Sequence, residues 1–449
     1  MQGLTCFKAY DVRGRVPAEL NDDLAYRIGL AYAAFLAPAR VAVGRDVRAS
    51  SLSLADALAA VLKDRGVEVW DLGLCGTEQV YFYTAHLGLD GGIMVTASHN
   101  PPDYNGMKFV RQGSRPLSGD SGLKDIAALV AGPKIPPSQK AEGLRKAADS
   151  LAAYTAHLLS YVDLKVLQPL KVVVNAGNGC AGPVLDRMEG HLPFQFIKIN
   201  HAPDPTFPQG VPNPLLPENR QVTAEAVRAH GADVGLAWYD DFDRVFFFDE
   251  QGNFIESYYL VGFLAQARLA RYPGGAIIHD PRLTWNTMEM VRQAGGRPIM
   301  SKTGHAFIKE RMRAEDAVYG GEMSGHHYFR DFAYCDSGMI PWLLVLELMC
   351  RQGQPLSALL QERMRRYPVS GEINRQLKDP DAALARVEAY YQGKYAALDR
   401  TDGLSLEFTD WRFNLRKSHT EPVLRLNVET RQDQALLKEK TAEVLELMI

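Results

Sequence analysis

Cysteine is scarce: Cys6, Cys75, Cys180, Cys335 and Cys350 are the five in the chain, odd in number, scattered, and without a CxxC pair. That argues against a disulfide framework or a zinc knuckle and points to reduced core thiols. An excess of one charge is also missing. The 50 basic and 53 acidic residues leave a formal charge of −3, so there is no broad positive surface for nucleic acid, and any anion must be met by a local site. Long hydrophobic runs are lacking too. The longest apolar stretch, MIPWLLVLELMC, is broken by Glu347 and is shorter than the roughly 18–20 residues of a membrane span. The start, MQGLTCFKAYDVRG, has no apolar h-region before Lys8, Asp11 and Arg13. A cytoplasmic protein with neither nucleic-acid nor membrane partners is expected.

The composition that remains, 46% hydrophobic and 23% charged, is that of a globular α/β enzyme rather than a disordered or fibrous chain. At 449 residues it exceeds one ordinary core, since domains run about 100–200 residues. VAVGRDVR (Val41 to Arg48) reads as a strand entering a polar loop. Apolar residues then recur at Leu54, Leu58, Val61 and Leu62 before Gly66, as on an amphipathic helix, and VEVWDLG follows as a strand. This is a βαβ unit with a parallel sheet. The same opening returns in KVVVNAGNGCAG from Lys171 and AIIHDPRL from Ala276, which implies three related α/β units. Beyond Tyr367-Pro368 the alternating strands WRFNLR and VLRLNVE, separated by KSHTEP, predict a smaller α+β unit. Boundaries are placed at 1–147, 148–252, 253–367 and 368–449.

Each α/β unit has a second strand ending in a chemically rich loop, where open α/β sheets bind ligands. The first is GGIMVTASHN. Taken alone, Ser98 reads as a turn or N-cap serine, and Thr96 and Asn100 rule out the GxSxG elbow of a hydrolase. Its company raises it above that reading, namely Lys108 nearby and the acidic loop YDDFDR, with Asp240, Asp241, Asp243 and Arg244. In an extended segment Asp241 and Asp243 face one side and can reach one hard cation, which suits magnesium shared with a phosphate. The third loop, GEMSGHH, offers Glu322 and Ser324 as sugar-hydroxyl partners and His326 as a proton-transfer group. Lys302 and His305 in KTGHAFIK also fit an ordinary helix start, whereas Arg416, Ser418 and Thr420 suit a phosphate.

GNGCAG (Gly177 to Gly182) has the spacing of a dinucleotide fingerprint. The acidic residue that the fingerprint wants at the end of the next strand is replaced by Asn200-His201. The glycines are therefore read as a tight strand-to-helix turn, with Pro183 starting the helix, and NAD binding is not expected.

Together, KAYDVRG, TASHNPPDYNGMKF, YDDFDR, GEMSGHH and RKSHTEP resemble the α-D-phosphohexomutases. The resemblance is nearest to bacterial phosphomannomutase/phosphoglucomutase enzymes of the exopolysaccharide type and covers essentially the whole chain. It implies three mixed α/β domains and a smaller C-terminal domain around a cleft. Ser98 would carry the phosphoryl group that converts hexose 1- and 6-phosphates of mannose and glucose through a bisphosphorylated sugar. Tyr10, Arg13, His99, Asn100 and Lys108 would surround it, with Lys108 and His326 exchanging protons and Arg244 steadying the phosphoryl group. Arg282, Lys302, His305, Glu322 and Ser324 would hold the sugar, and Arg416, Ser418 and Thr420 the distal phosphate. Magnesium would sit on Ser98, Asp241 and Asp243, with glucose 1,6-bisphosphate as activator, and a monomer is expected.

The sequence departs from that family at the metal loop, which there reads Asp-Gly-Asp-x-Asp-Arg. Here the first aspartate is Tyr239 and the glycine is Asp240. A neutral phenol, with an ordinary pKa of about 10, is a poor magnesium ligand. Weaker metal binding is expected, and a catalytically impaired sugar-phosphate-binding relative is the alternative function. His419 stands where an asparagine is usual.

Overall fold

The computed structural model of the chain describes residues 4–133, 135, 142–417 and 423–449. It divides into two compact units, Met1–Phe254 with Tyr328–Gly353, and Ile255–His327 with Gln354–Ile449. Ser418 and Thr420, with His419 beside them, lie outside the described residues, as does most of the Pro-rich stretch after Ala131.

In the first unit, one mixed sheet runs in the order Val12–Arg15, Tyr104–Arg111, Gly91–Val95, Arg40–Arg45, Glu68–Leu74 and Arg145–Ala147. The Arg40–Arg45 strand is parallel to both its neighbours, as the βαβ reading requires. Tyr104–Arg111 returns antiparallel to Gly91–Val95 and sets Lys108 opposite Met94. The helix Ser51–Asp64 buries Leu54, Leu58, Val61 and Leu62 completely. Each such side chain is worth roughly 1.5–3 kcal/mol over its exposed state, which fixes the helix on the sheet.

A second sheet of this unit carries Val234–Trp238 between Lys171–Asn175, parallel to it, and Val245–Phe248, antiparallel. Val234–Trp238 and Val245–Phe248 are buried along their whole length, so the acidic loop between them springs from rigid strands. The apolar stretch around Trp342 is the helix Ile340–Gln352, mostly buried, while Glu347 pairs with Arg351 at 2.8 Å near the surface. Among the described residues, no helix is long and apolar enough to cross a membrane.

The second unit carries the third α/β segment, in which Ala276–His279 lies parallel to both Arg297–Met300 and Tyr319–Gly321. Its C-terminal part is an antiparallel sheet in the order Ile373–Gln376, Val423–Thr430, Trp411–Lys417, Leu404–Glu407 and Ala397–Asp399. Phe413, Leu415, Leu424, Leu426 and Val428 form its core against two helices. The chain is thus built from three related α/β segments and a smaller antiparallel one. Cys6, Cys75, Cys180 and Cys335 are buried thiols in no disulfide, and Cys350 is only half-buried.

Candidate active site

The buried strand Gly91–Val95 ends in a turn that holds Ser98 at φ +50°, the left-handed region that non-glycine residues seldom enter. No helix follows, so Ser98 is not an N-cap. Its Oγ is buried and has no hydrogen-bond partner. An orphaned hydroxyl costs about 1–3 kcal/mol, so a group attached to that oxygen would relieve the site. Around it, Arg13 donates to Asn100 Oδ1 at 2.6 Å and pairs with Asp11. Tyr10 is half-buried in the bend before them. His99 is packed 4.8 Å from the Tyr239 ring. Burial, reinforced by Arg244 and Arg13, pushes its imidazole well below its usual pKa, so it is neutral.

The acidic loop differs from the extended segment expected of it. Phe242 donates its N–H to the Tyr239 carbonyl at 3.0 Å and stands at φ +41°, so Tyr239 to Phe242 is a turn. Asp241 and Asp243 still converge, because the turn brings their carboxylates to Lys108 Nζ at 2.7 and 2.8 Å. Thr77 adds a hydroxyl to Asp241 Oδ2. Burial lowers the Lys108 pKa, but Asp241 and Asp243 outweigh it and raise it above its ordinary value, so the lysine is an ammonium. Arg244 lies with its guanidinium carbon 4.9 Å from the centre of the Tyr239 ring.

Tyr239 therefore fills the position of the expected third carboxylate with a ring wedged between His99 and Arg244. Asp240 turns the other way, its Oδ2 3.4 Å from Arg48 Nε. Burial and the neighbouring Asp46 hold its carboxyl well above the usual range, against the pull of Arg48. What remains still fits a hard cation. Two buried carboxylates already converge on a positive charge, and Asp241 Oδ1 has no hydrogen-bond partner.

The GNGCAG turn explains its own glycines. A Cβ at Gly179 would lie 2.5 Å from the Asp240 carbonyl oxygen, and Cys180 N–H donates to that oxygen at 2.8 Å. In a dinucleotide site the corresponding close approach is to pyrophosphate. Here the protein's own acidic loop occupies it. The helix begins at Ala181, two residues before Pro183.

In the second unit, Arg282 is the hub. Its guanidinium donates to Asp280 Oδ2 at 2.7 Å and to Ser324 Oγ at 3.3 Å, and lies 3.5 Å from Glu322. Glu322 also accepts the Gly304 N–H at 3.1 Å and faces His326 Nδ1 at 3.2 Å. The His305 ring lies 6.4 Å from that of His326, whereas Lys302 stands over Phe307, apart from the Arg282 contacts. Arg416 pairs with Glu372 at 3.1 Å, and Glu372 also faces Arg282 at 3.4 Å and Arg425 at 3.7 Å. Burial raises the Glu372 carboxyl, but the three arginines overcome it and hold it below the usual range.

Arg48, Asp46, Thr77, Asp280 and Glu372 belong to these networks and were not singled out by their sequence context. GRDVRASS looked like a plain polar loop; only the charge density of its Arg-Asp-Val-Arg run hinted at more.

Comparison with known proteins places the chain in a family. Residues 5–133, 152–252 and 256–367 match the family models for phosphoglucomutase/phosphomannomutase alpha/beta/alpha domains I, II and III, and residues 372–447 match the C-terminal domain. A phosphomannomutase of Salmonella montevideo is 60% identical with both chains fully covered. A protein of Xanthomonas campestris pv. campestris named phosphohexose mutases is 59% identical over 99% of each chain. Among solved structures, a family protein of Burkholderia thailandensis aligns with a TM-score of 0.89 at 32% identity, covering 100% of this chain and 98% of its own. An N-acetylphosphoglucosamine mutase of Aspergillus fumigatus, solved with GlcNAc-6P and magnesium, shares the fold at 13% identity and a TM-score of 0.60, covering 99% and 95%. A full-length match in every domain, at such identity, makes the chain a member of the phosphoglucomutase/phosphomannomutase family, the α-D-phosphohexomutases, and a mutase enzyme.

Proposed function

We propose that this mutase interconverts the 1- and 6-phosphates of mannose, and of glucose, through a phosphate carried on Ser98. The carrying observation is the Ser98 hydroxyl itself, buried, without a partner and set in a left-handed turn on the sheet that also bears Lys108. In the forward step the bond from Ser98 Oγ to phosphorus breaks as a bond from a sugar hydroxyl oxygen to phosphorus forms. The hydroxyl proton passes to a protein base. The bisphosphorylated sugar then returns its other phosphate to Ser98.

Because Lys108 is an ammonium between two carboxylates, it suits the role of acid toward the departing Ser98 oxygen and of counter-charge to the phosphoryl group. Arg13, Asn100, Arg244 and the neutral His99 shape the space around that group, with Tyr10 nearby. Glu322, Ser324 and Arg282 are assigned to sugar hydroxyls with Lys302 and His305 beside them, His326 to proton transfer, and Arg416 with Ser418 and Thr420 to the distal phosphate. Asp241 and Asp243, with the phosphate on Ser98, would hold magnesium, which disperses phosphoryl charge when bound. Glucose 1,6-bisphosphate would charge the serine. Hexose phosphates are the partners assigned to a cytoplasmic monomer.

The test is incubation with glucose 1,6-bisphosphate and magnesium, followed by mass spectrometry of the Ser98 peptide and a mannose 1-phosphate to 6-phosphate assay. Phosphate on Ser98 with turnover is expected. Sugar-phosphate binding without either would favour the impaired reading, which the ring of Tyr239 at a ligand position supports.

A further inference from the structure

Arg48 is almost completely buried, yet no step above uses it. Its Nη2 donates to the carbonyls of Ser98 at 2.6 Å and Asn100 at 2.7 Å. Its Nη1 donates to those of Pro101 at 2.7 Å and Tyr104 at 3.0 Å. One planar guanidinium thus gathers four carbonyls from the loop that begins at the left-handed Ser98. The last of them opens the strand that carries Lys108.

The arginine is itself anchored. Asp46 Oδ1 accepts the Arg48 backbone N–H at 3.0 Å, and Asp46 N–H is tied to Val95 at 3.0 Å, at the end of the strand leading to Ser98. Asn105 donates to Ser50 and Ser51 at 2.8 and 2.9 Å, fastening the Arg48 loop to the Lys108 strand. Asp46 Oδ2 and Asp240 Oδ2 both stand 3.4 Å from Nε. Asp240 belongs to the acidic loop, so the guanidinium touches the serine loop, the Lys108 strand and the loop of Asp241 and Asp243. The residue that replaces the family's glycine thus places a second carboxyl group beside this arginine.

A non-glycine residue in a sparsely populated backbone region costs about 1–3 kcal/mol and persists only where its surroundings over-determine it. We infer that Arg48 is the positioning residue of phosphoryl transfer, holding Ser98 in its left-handed turn and in register with Lys108 and the acidic loop. The inference rests on Ser98 being the phosphoryl carrier. Lysine cannot replace Arg48, because a point charge on a flexible stem lacks the planar fork that spans four carbonyls.

Arg48→Lys keeps the charge facing Asp46 and Asp240 and so keeps the fold, while Arg48→Ala opens a slot that guanidinium ion can enter. Misplacement near 1 Å costs roughly 100-fold in rate. In Arg48→Lys, phosphorylation of Ser98 by glucose 1,6-bisphosphate and kcat should both fall by about that factor, with the KM for mannose 1-phosphate near the wild-type value. Amide exchange across residues 97–105 should quicken in both variants, and millimolar guanidinium should restore part of the Arg48→Ala rate. Wild-type kinetics and exchange in Arg48→Lys would overturn the inference, as would a rise in KM with kcat unchanged. If wild-type Ser98 never takes phosphate, the proposed function fails, and the exchange of residues 97–105 alone decides the role of Arg48.

Discussion

Lys108 Nζ lies 2.7 Å from Asp241 Oδ2, so the cation that the acidic loop holds is the protein's own. Removing that charge should leave Asp241 and Asp243 buried without it. Lys108→Met is expected to lose roughly 3–5 kcal/mol of stability, and added magnesium should recover more of it than it adds to wild type. Thermal unfolding with and without magnesium reads this directly. Equal shifts in both proteins would mean that the carboxylate pair is not where the metal binds.

Tyr239 and Asp240 predict a gain of function. The double variant Tyr239→Asp, Asp240→Gly should bind magnesium more tightly by calorimetry and turn over faster, because it restores a third alternating carboxylate. The geometry adds that Asp240→Gly alone should bring no gain in metal affinity, since the Asp240 carboxyl faces Arg48 and Asp46 rather than the pair Asp241 and Asp243. Unchanged affinity and turnover in the double variant would refute the metal-loop account.

Glu78 sets a pH dependence. It is buried, accepts from Tyr154, Ser337 and the Gly338 N–H, and burial pushes its carboxyl from 4.5 up to about 8. Between those values the folded protein keeps a proton that the unfolded chain releases, so this contribution is full below 4.5 and lost as pH rises toward 8. Glu78→Gln should flatten the fall in melting temperature over that range. An unaltered slope would place the ionisation elsewhere.

Gly179→Ala should act on the acidic loop from behind. The added methyl would meet the Asp240 carbonyl oxygen at 2.5 Å, a backbone atom that cannot swing aside. A loss of about 1–3 kcal/mol in a urea titration is expected, together with weaker magnesium binding. A neutral outcome would show that the loop yields easily.

Much of this was legible in the residues. Strand-to-loop openings at Arg40–Arg45, Lys171–Asn175 and Ala276–His279 stood out because buried parallel strands need continuous apolar runs. Ser98, Asp241 and Asp243 stood out because a rich loop after a strand is where α/β sheets bind ligands. The turn at Phe242 was not legible. A left-handed residue that is not glycine leaves no mark in composition, so an extended loop was expected.

The chain's residues by themselves determined the family, the repeated α/β plan, the serine loop and the lost carboxylate at Tyr239, because these depend on residue identity and local order. Only the tertiary structure decided that Lys108 is held as an ammonium, that Asp240 turns to Arg48, and that Arg48 grips the Ser98 loop. Those depend on Coulombic and hydrogen-bond contacts between segments 50 or more residues apart, such as Arg48 with Ser98, Lys108 with Asp241 and Arg48 with Asp240, and on burial that gives those contacts their strength.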